Sequence, residues 1–86
     1  MKNNSQKSRF ELETEGLITF ADYQLKDNIL TINHVEAPVE LRGSGSAGKL
    51  MEEIAKKARA ENLKIVPICG YASVWLRRNK EFKDLL

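Results

Sequence analysis

The stretch Leu41-Arg42-Gly43-Ser44-Gly45-Ser46-Ala47-Gly48-Lys49-Leu50 joins an extended region to a strongly periodic one, and the rest of the chain is organised around it. Three glycines and two serines fall within six residues, 43–48. Small side chains let a ligand approach the main chain closely. The free N–H groups at a helix start carry partial positive charge and favour an anion. Arg42 and Lys49 flank the turn with formal charge. The stretch therefore reads as a pocket for a phosphate-bearing ligand. Taken locally, the same pattern also describes a Ser/Gly-capped helix start that holds nothing.

On its C-terminal side, apolar residues stand at Ala47, Leu50, Met51, Ile54, Ala55 and Ala58, one face of an α-helix. Lys49, Glu52, Glu53, Lys56, Lys57 and Arg59 occupy the other face. Glu52/Lys56 and Glu53/Lys57 are i,i+4 pairs in the favourable order. Asn62 is the expected C-terminal cap. Leu63–Ile68 is then a short strand, parallel to the one before the loop through a right-handed crossover. Cys69-Gly70 turns into a last helix over Tyr71–Arg78, with a final turn at Glu81–Leu86. Tyr71, Val74, Trp75 and Phe82 are expected to pack on the sheet.

On its N-terminal side, Arg9–Thr14 alternate as a half-buried strand. Leu17–Leu25 and Ile29–Val35 are the second and third strands, separated by turns at Glu15-Gly16 and Lys26-Asp27-Asn28. Strict alternation puts Leu30, Ile32 and His34 on one face of the third strand, and Ile29, Thr31, Asn33 and Val35 on the other. Pro38 ends that strand. Residues 1–8 are polar and read as a mobile tail, with 9–86 as one domain. The expected class is α+β in the order β-β-β-α-β-α: a three-stranded antiparallel meander followed by a parallel strand.

A chain of 86 residues allows one core. Its net charge of +2 is too small to argue for nucleic acid. One cysteine excludes an intrachain disulfide. No apolar run approaches the roughly 20 residues of a membrane span, and no secretory signal opens the sequence. The expectation is a soluble, cytoplasmic protein without a metal site, a monomer or homodimer given its open sheet edges.

Three phosphate-loop readings compete. Gly43–Gly48 matches G-x-G-x-x-G, but three antiparallel strands precede it and no acid follows about 20 positions on. Gly43–Leu50 is G-x-x-x-x-G-K-L, in which Leu50 stands where a P-loop needs a hydroxyl for magnesium. Arg42-x-x-Gly45-x-Ala47 fits [Arg/Gln]-x-x-Gly-x-[Gly/Ala], which resembles the pyrophosphate signature of the GNAT superfamily of acyl-CoA-dependent N-acyltransferases. Asn33-His34-Val35, Pro38–Gly43, the helix, Val66–Cys69, Tyr71–Arg78 and Glu81-Phe82 extend the likeness to the small, single-domain YjdJ-like subgroup, from about Phe10 to the C-terminus.

That resemblance implies a GNAT-like fold that binds coenzyme A or acetyl-CoA and transfers acetyl to an unidentified amine. The alternative function is a coenzyme A sensor or adaptor without turnover. Backbone amides of Gly43, Ser44, Gly45, Ser46 and Ala47 would cradle the pyrophosphate, with Arg42 closing the loop. The pantetheine arm would run where the third and fourth strands separate, beside Val35 and Cys69. Tyr71 and Arg77 (or Arg78) complete the cofactor-binding set. Ser46 stands where the subgroup commonly has an apolar residue, and is expected to loosen the helix start. His34, the only histidine, and Cys69, across the proposed cleft, are the catalytic candidates: an imidazole suits proton acceptance and a thiol suits transient acetylation. Each also reads as structural, the histidine hydrogen-bonded and the cysteine packed. Glu36 is a second candidate base, and Tyr71 a donor to the leaving thiolate.

Overall fold

Alternation and two tight turns build the sheet. The computed structural model describes residues 1–86. Strands β1 (Lys2–Asn4), β2 (Arg9–Thr14), β3 (Leu17–Lys26), β4 (Ile29–Glu36) and β5 (Lys64–Pro67) form one sheet in sequence order. The first four are antiparallel, and β5 runs parallel to β4. Helices α1 (Ser46–Ala60) and α2 (Gly70–Arg78) and short 3-10 turns at Val39–Leu41 and Lys80–Leu85 complete the chain. Glu15-Gly16 and Asp27-Asn28 have positive φ at both positions. That conformation matches the twist of the strands each pair joins, which sets the register of both hairpins.

The meander and the parallel strand are as expected, but the tail is not. Lys2–Asn4, inside the segment read as a tail, pair with Arg9–Glu11 as an edge strand. Their side chains are polar, so backbone pairing with an open edge, and not burial, places them.

Both helices cover one face of the sheet. Phe10, Ala21, Leu30, Ile32 and Ile65 on that face join Leu50, Met51, Ile54, Ala72, Leu76 and Phe82 in one core. The other face carries no helix, and Ile18, Ile29 and Val66 are exposed there. No helix is long and apolar enough to cross a membrane.

A bulge in β4 changes its sidedness. Ile32 pairs with Tyr23 and His34 with Asp22, which leaves Asn33 as an extra residue. Beyond it, Val35 pairs with the buried Ala21 and packs against the core. His34 and Glu36 therefore turn to the uncovered face. The expectation that His34 shares a face with Leu30 and Ile32 is corrected by this single inserted residue.

Helix α1 ends in a Schellman motif. Asn62 is left-handed at φ 57°, its N–H donates to the Arg59 carbonyl, and the Leu63 N–H donates to the Ala58 carbonyl at 2.8 Å. The reversal sends the chain straight into β5. Helix α2 is rotated relative to expectation: Ala72 and Leu76 are buried, whereas Tyr71 and Val74 are exposed. Trp75 is half-buried and stacks on Phe82 at 5.7 Å.

Candidate functional site

The loop between β4 and α1 owes its shape to its glycines. Pro38 opens one 3-10 turn, and buried Leu41 anchors it. Gly43 and Gly45 then take φ of 85° and 87°. Another residue would lose about 1–2 kcal/mol in that conformation. Gly45 is the N-cap of α1 and supplies no side-chain acceptor.

Ser44 Oγ donates to the Leu41 carbonyl and accepts from the Ser46 N–H at 3.3 Å. The Lys49 N–H starts the helical ladder by donating to the Gly45 carbonyl at 3.0 Å. The N–H groups of Gly43, Gly45, Ala47 and Gly48 have no acceptor within the chain. A concavity of about 450 Å³ lies over them. Arg42, Gly43, Gly45, Ser46, Ala47 and Gly48 line it, closed off by Ala37, Leu41 and Tyr71.

The charge around the concavity is positive. The first turn of α1 carries no acid, so nothing in the helix compensates its positive end. Arg42 is exposed, and the one hydrogen bond of its side chain is a long 3.4 Å contact from Nε to the Ala37 carbonyl. Lys49 is exposed on the next turn. Free donors, a positive helix end and an exposed guanidinium together suit a diphosphate.

Of the residues read as cofactor-binding, Arg42, Gly43, Gly45, Ser46, Ala47 and Tyr71 meet at this concavity. Ser44 spends its hydroxyl inside the loop. Ser46 does not loosen the helix start. Its hydroxyl is buried and accepts from Thr19 Oγ1 at 3.0 Å, tying the first residue of α1 to β3.

Val35 and Cys69 lie at a second feature, the parting of β4 and β5. Their ladder ends at Ile32 and Pro67. The N–H groups of Ile68 and Cys69 both donate to the Ile32 carbonyl, at 2.9 and 3.1 Å. Residues 33–36 continue along β4 without a neighbour on that side. Cys69 is the N-cap of α2, and its half-buried side chain packs against the core, as does Val35.

His34 is not joined to Cys69. The bulge puts the imidazole on the uncovered face, where Nε2 lies 3.2 Å from Glu36 Oε1 and the ring 6.1 Å from that of Phe20. Asp22 sits opposite it in register and pairs with Arg9 at 2.7 Å. No hydrogen bond links His34 to the thiol.

Tyr71 and Trp75 bring α2 against the loop. A β-carbon at Gly48 would lie 3.5 Å from the Tyr71 hydroxyl and 3.4 Å from Trp75 Nε1, so the glycine permits this approach. Burial pushes the Tyr71 phenol above its ordinary value of 10.0, so it remains an O–H donor at neutral pH. The folded state therefore holds that proton to higher pH than the unfolded chain does. Stability that Tyr71 contributes is present below pH about 10 and lost as pH rises through the folded value. Tyr71→Phe is expected to flatten the alkaline fall of the urea midpoint between about pH 9.5 and 11. Identical slopes in the two proteins would contradict this.

Arg77 is exposed and lies about a third of a turn from the Tyr71 stripe. Arg78, two turns beyond Tyr71, shares that stripe. Gly48 belongs to the loop motif but not to the expected cradle amides, Trp75 is expected only to pack, and Thr19 carries no local signal for the site.

A sequence model of the GCN5-related N-acetyl-transferase family matches residues 9–85. Among solved structures, a Staphylococcus aureus protein described as GCN5-like, determined in solution by NMR, has a similar fold. The two are 24% identical, with a TM-score of 0.69 over 99% of this chain and 89% of that one. At that identity the likeness is one of fold.

Proposed function

The chain belongs to the GCN5-related N-acetyltransferase family, and from that premise we propose that it binds coenzyme A or acetyl-CoA on the 42–48 loop and acetylates an amine. The observation that carries the reading is the set of four amides, of Gly43, Gly45, Ala47 and Gly48, left without acceptors beneath one concavity. These residues fit the diphosphate: two left-handed glycines bring no β-carbon to the cradle, and no acid opposes the charge. Bound there, acetyl-CoA supplies the acetyl group as an activated thioester.

The chain's own residues supply the rest. The four amides hold the diphosphate, and Arg42 adds a guanidinium at its edge. Val35 and Cys69 flank the parted strands and hold the pantetheine arm. The amine approaches from the uncovered face, because the core and both helices occupy the other. His34 on that face accepts the proton from the amine, with Glu36 orienting its ring. The Tyr71 phenol, beside Gly48, would donate at the diphosphate end of the cofactor. Cys69 serves in packing, its side chain lying against the core.

One observation favours the second reading, a coenzyme A sensor without turnover. No carboxylate or imidazole lines the concavity. Titration of the purified protein with coenzyme A, 3′-dephospho-CoA and ATP tests the shared premise. Both coenzyme A forms are expected to bind, and ATP, which lacks the pantetheine arm, to bind more weakly. Absence of binding and of any thermal shift with coenzyme A would end both readings. Steady release of free coenzyme A from acetyl-CoA in the presence of amines or peptides then selects the enzyme. Binding without release above background selects the sensor.

A further inference from the structure

Thr19 and Ser46 are the two polar residues that the fold buries, and they bond to each other. Thr19 is fully buried in β3, far in sequence from the loop. Ser46 stands between two of the free amides, those of Gly45 and Ala47. The Thr19 hydroxyl donates to Ser46 Oγ at 3.0 Å. The Ser46 N–H donates to Ser44 Oγ, and Ser44 Oγ donates to the Leu41 carbonyl. The Ser46 hydroxyl is held in the core and that of Ser44 is spent on the Leu41 carbonyl, so main-chain N–H groups are what the loop leaves free.

We propose that Thr19 is a positioning residue for the anion-binding loop, holding the Ser46 hydroxyl in the core so that the neighbouring amides face outward; the inference rests on the coenzyme A reading. The physical reason is that a buried hydroxyl without a partner is unfavourable and finds another one. Deprived of the Thr19 donor, the Ser46 oxygen has the unbonded amides of its own turn as its next donors, that of Gly48 two residues on among them. Serine makes such local bonds to main-chain N–H groups readily at a helix start. Each one made takes an amide away from the ligand. Removal of both hydroxyls leaves no orphan, and an apolar pair of similar shape then fills the same space.

The test is coenzyme A titration of the wild type, T19V, T19S and T19V/S46A. T19V keeps the shape of threonine and is expected to weaken coenzyme A binding about five- to tenfold. T19S retains the donor and is expected to bind within about twofold of wild type. T19V/S46A removes the orphan and is expected to recover to the same level, a non-additive result that pure loss of packing does not give. T19A, which equally deprives Ser46 of its donor, is titrated alongside in case T19V does not fold. A T19V protein that melts earlier yet binds as wild type overturns the proposal, as does a double variant no better than T19V. If the wild type binds no coenzyme A, the cofactor reading falls first. Hydrogen exchange of the Ala47 and Gly48 amides in the ligand-free protein then decides whether Thr19 positions them. Slower exchange of the Gly48 amide in T19V than in wild type and T19S is expected, because the orphaned Ser46 oxygen now bonds it, and equal rates overturn it.

Discussion

Gly45→Val is expected to weaken coenzyme A binding by at least about a hundredfold while the protein remains folded. Two effects act together. Gly45 sits at φ 87°, where a β-branched residue is strained. Its missing β-carbon points at open space, with nothing within 4 Å, so a side chain meets no protein atom. Gly45 lines the concavity. A valine there fills the cradle and moves its own amide, so the loss appears in affinity more than in folding. Gly16 supplies the control. It has φ 80°, and its added β-carbon also meets nothing, but it lies in the β2–β3 turn. Gly16→Ala and Gly45→Ala should each lose about 1–2 kcal/mol in urea denaturation. Only the second should lose affinity in calorimetric titration. Equal coenzyme A affinity in the two alanine variants would remove the loop from the binding site.

The contrast between these two glycines also shows what a linear reading can and cannot supply. Period-2 alternation in β2–β4, the turn residues and the apolar face of α1 are local signals, and the structure follows them. Loop residues 42–47 are contiguous, and the β4–α1–β5 crossover returns the chain so that Tyr71, at the start of α2, meets them. Sidedness beyond Asn33 is different. A bulge is decided by how β4 registers against β3, and one inserted residue moves His34 and Val35 to opposite faces with no change in local composition. Helix α2 spans nine residues and carries two short apolar stripes. Packing against the sheet and α1, not periodicity, buries Ala72 and Leu76 in the core. Lys2–Asn4 have no apolar pattern at all, and the β2 edge recruits them through backbone bonds. Thr19 alternates correctly onto the core face, yet its partner stands 27 positions away, beyond reach of any local pattern.

His34→Ala is expected to lower kcat for amine acetylation about a hundredfold and to leave coenzyme A affinity within about twofold. The split follows from sidedness. The loop proposed to hold the diphosphate lies at the start of α1, whereas the bulge turns the imidazole to the face that no helix covers. Deletion of the ring therefore leaves the cradle intact and removes the proton acceptor from the side open to the amine. Glu36, 3.2 Å from Nε2, leaves Nδ1 as the nitrogen available to the substrate. Cys69→Ala makes the complementary case. Its main-chain N–H holds the end of β5 to Ile32 whatever the side chain, and the thiol packs against the core. Activity should stay within a few-fold and stability should fall modestly. Burst kinetics with acetyl-CoA in the wild type, together with a silent His34→Ala, would transfer the chemistry from the imidazole to the thiol and reverse the assignment of faces.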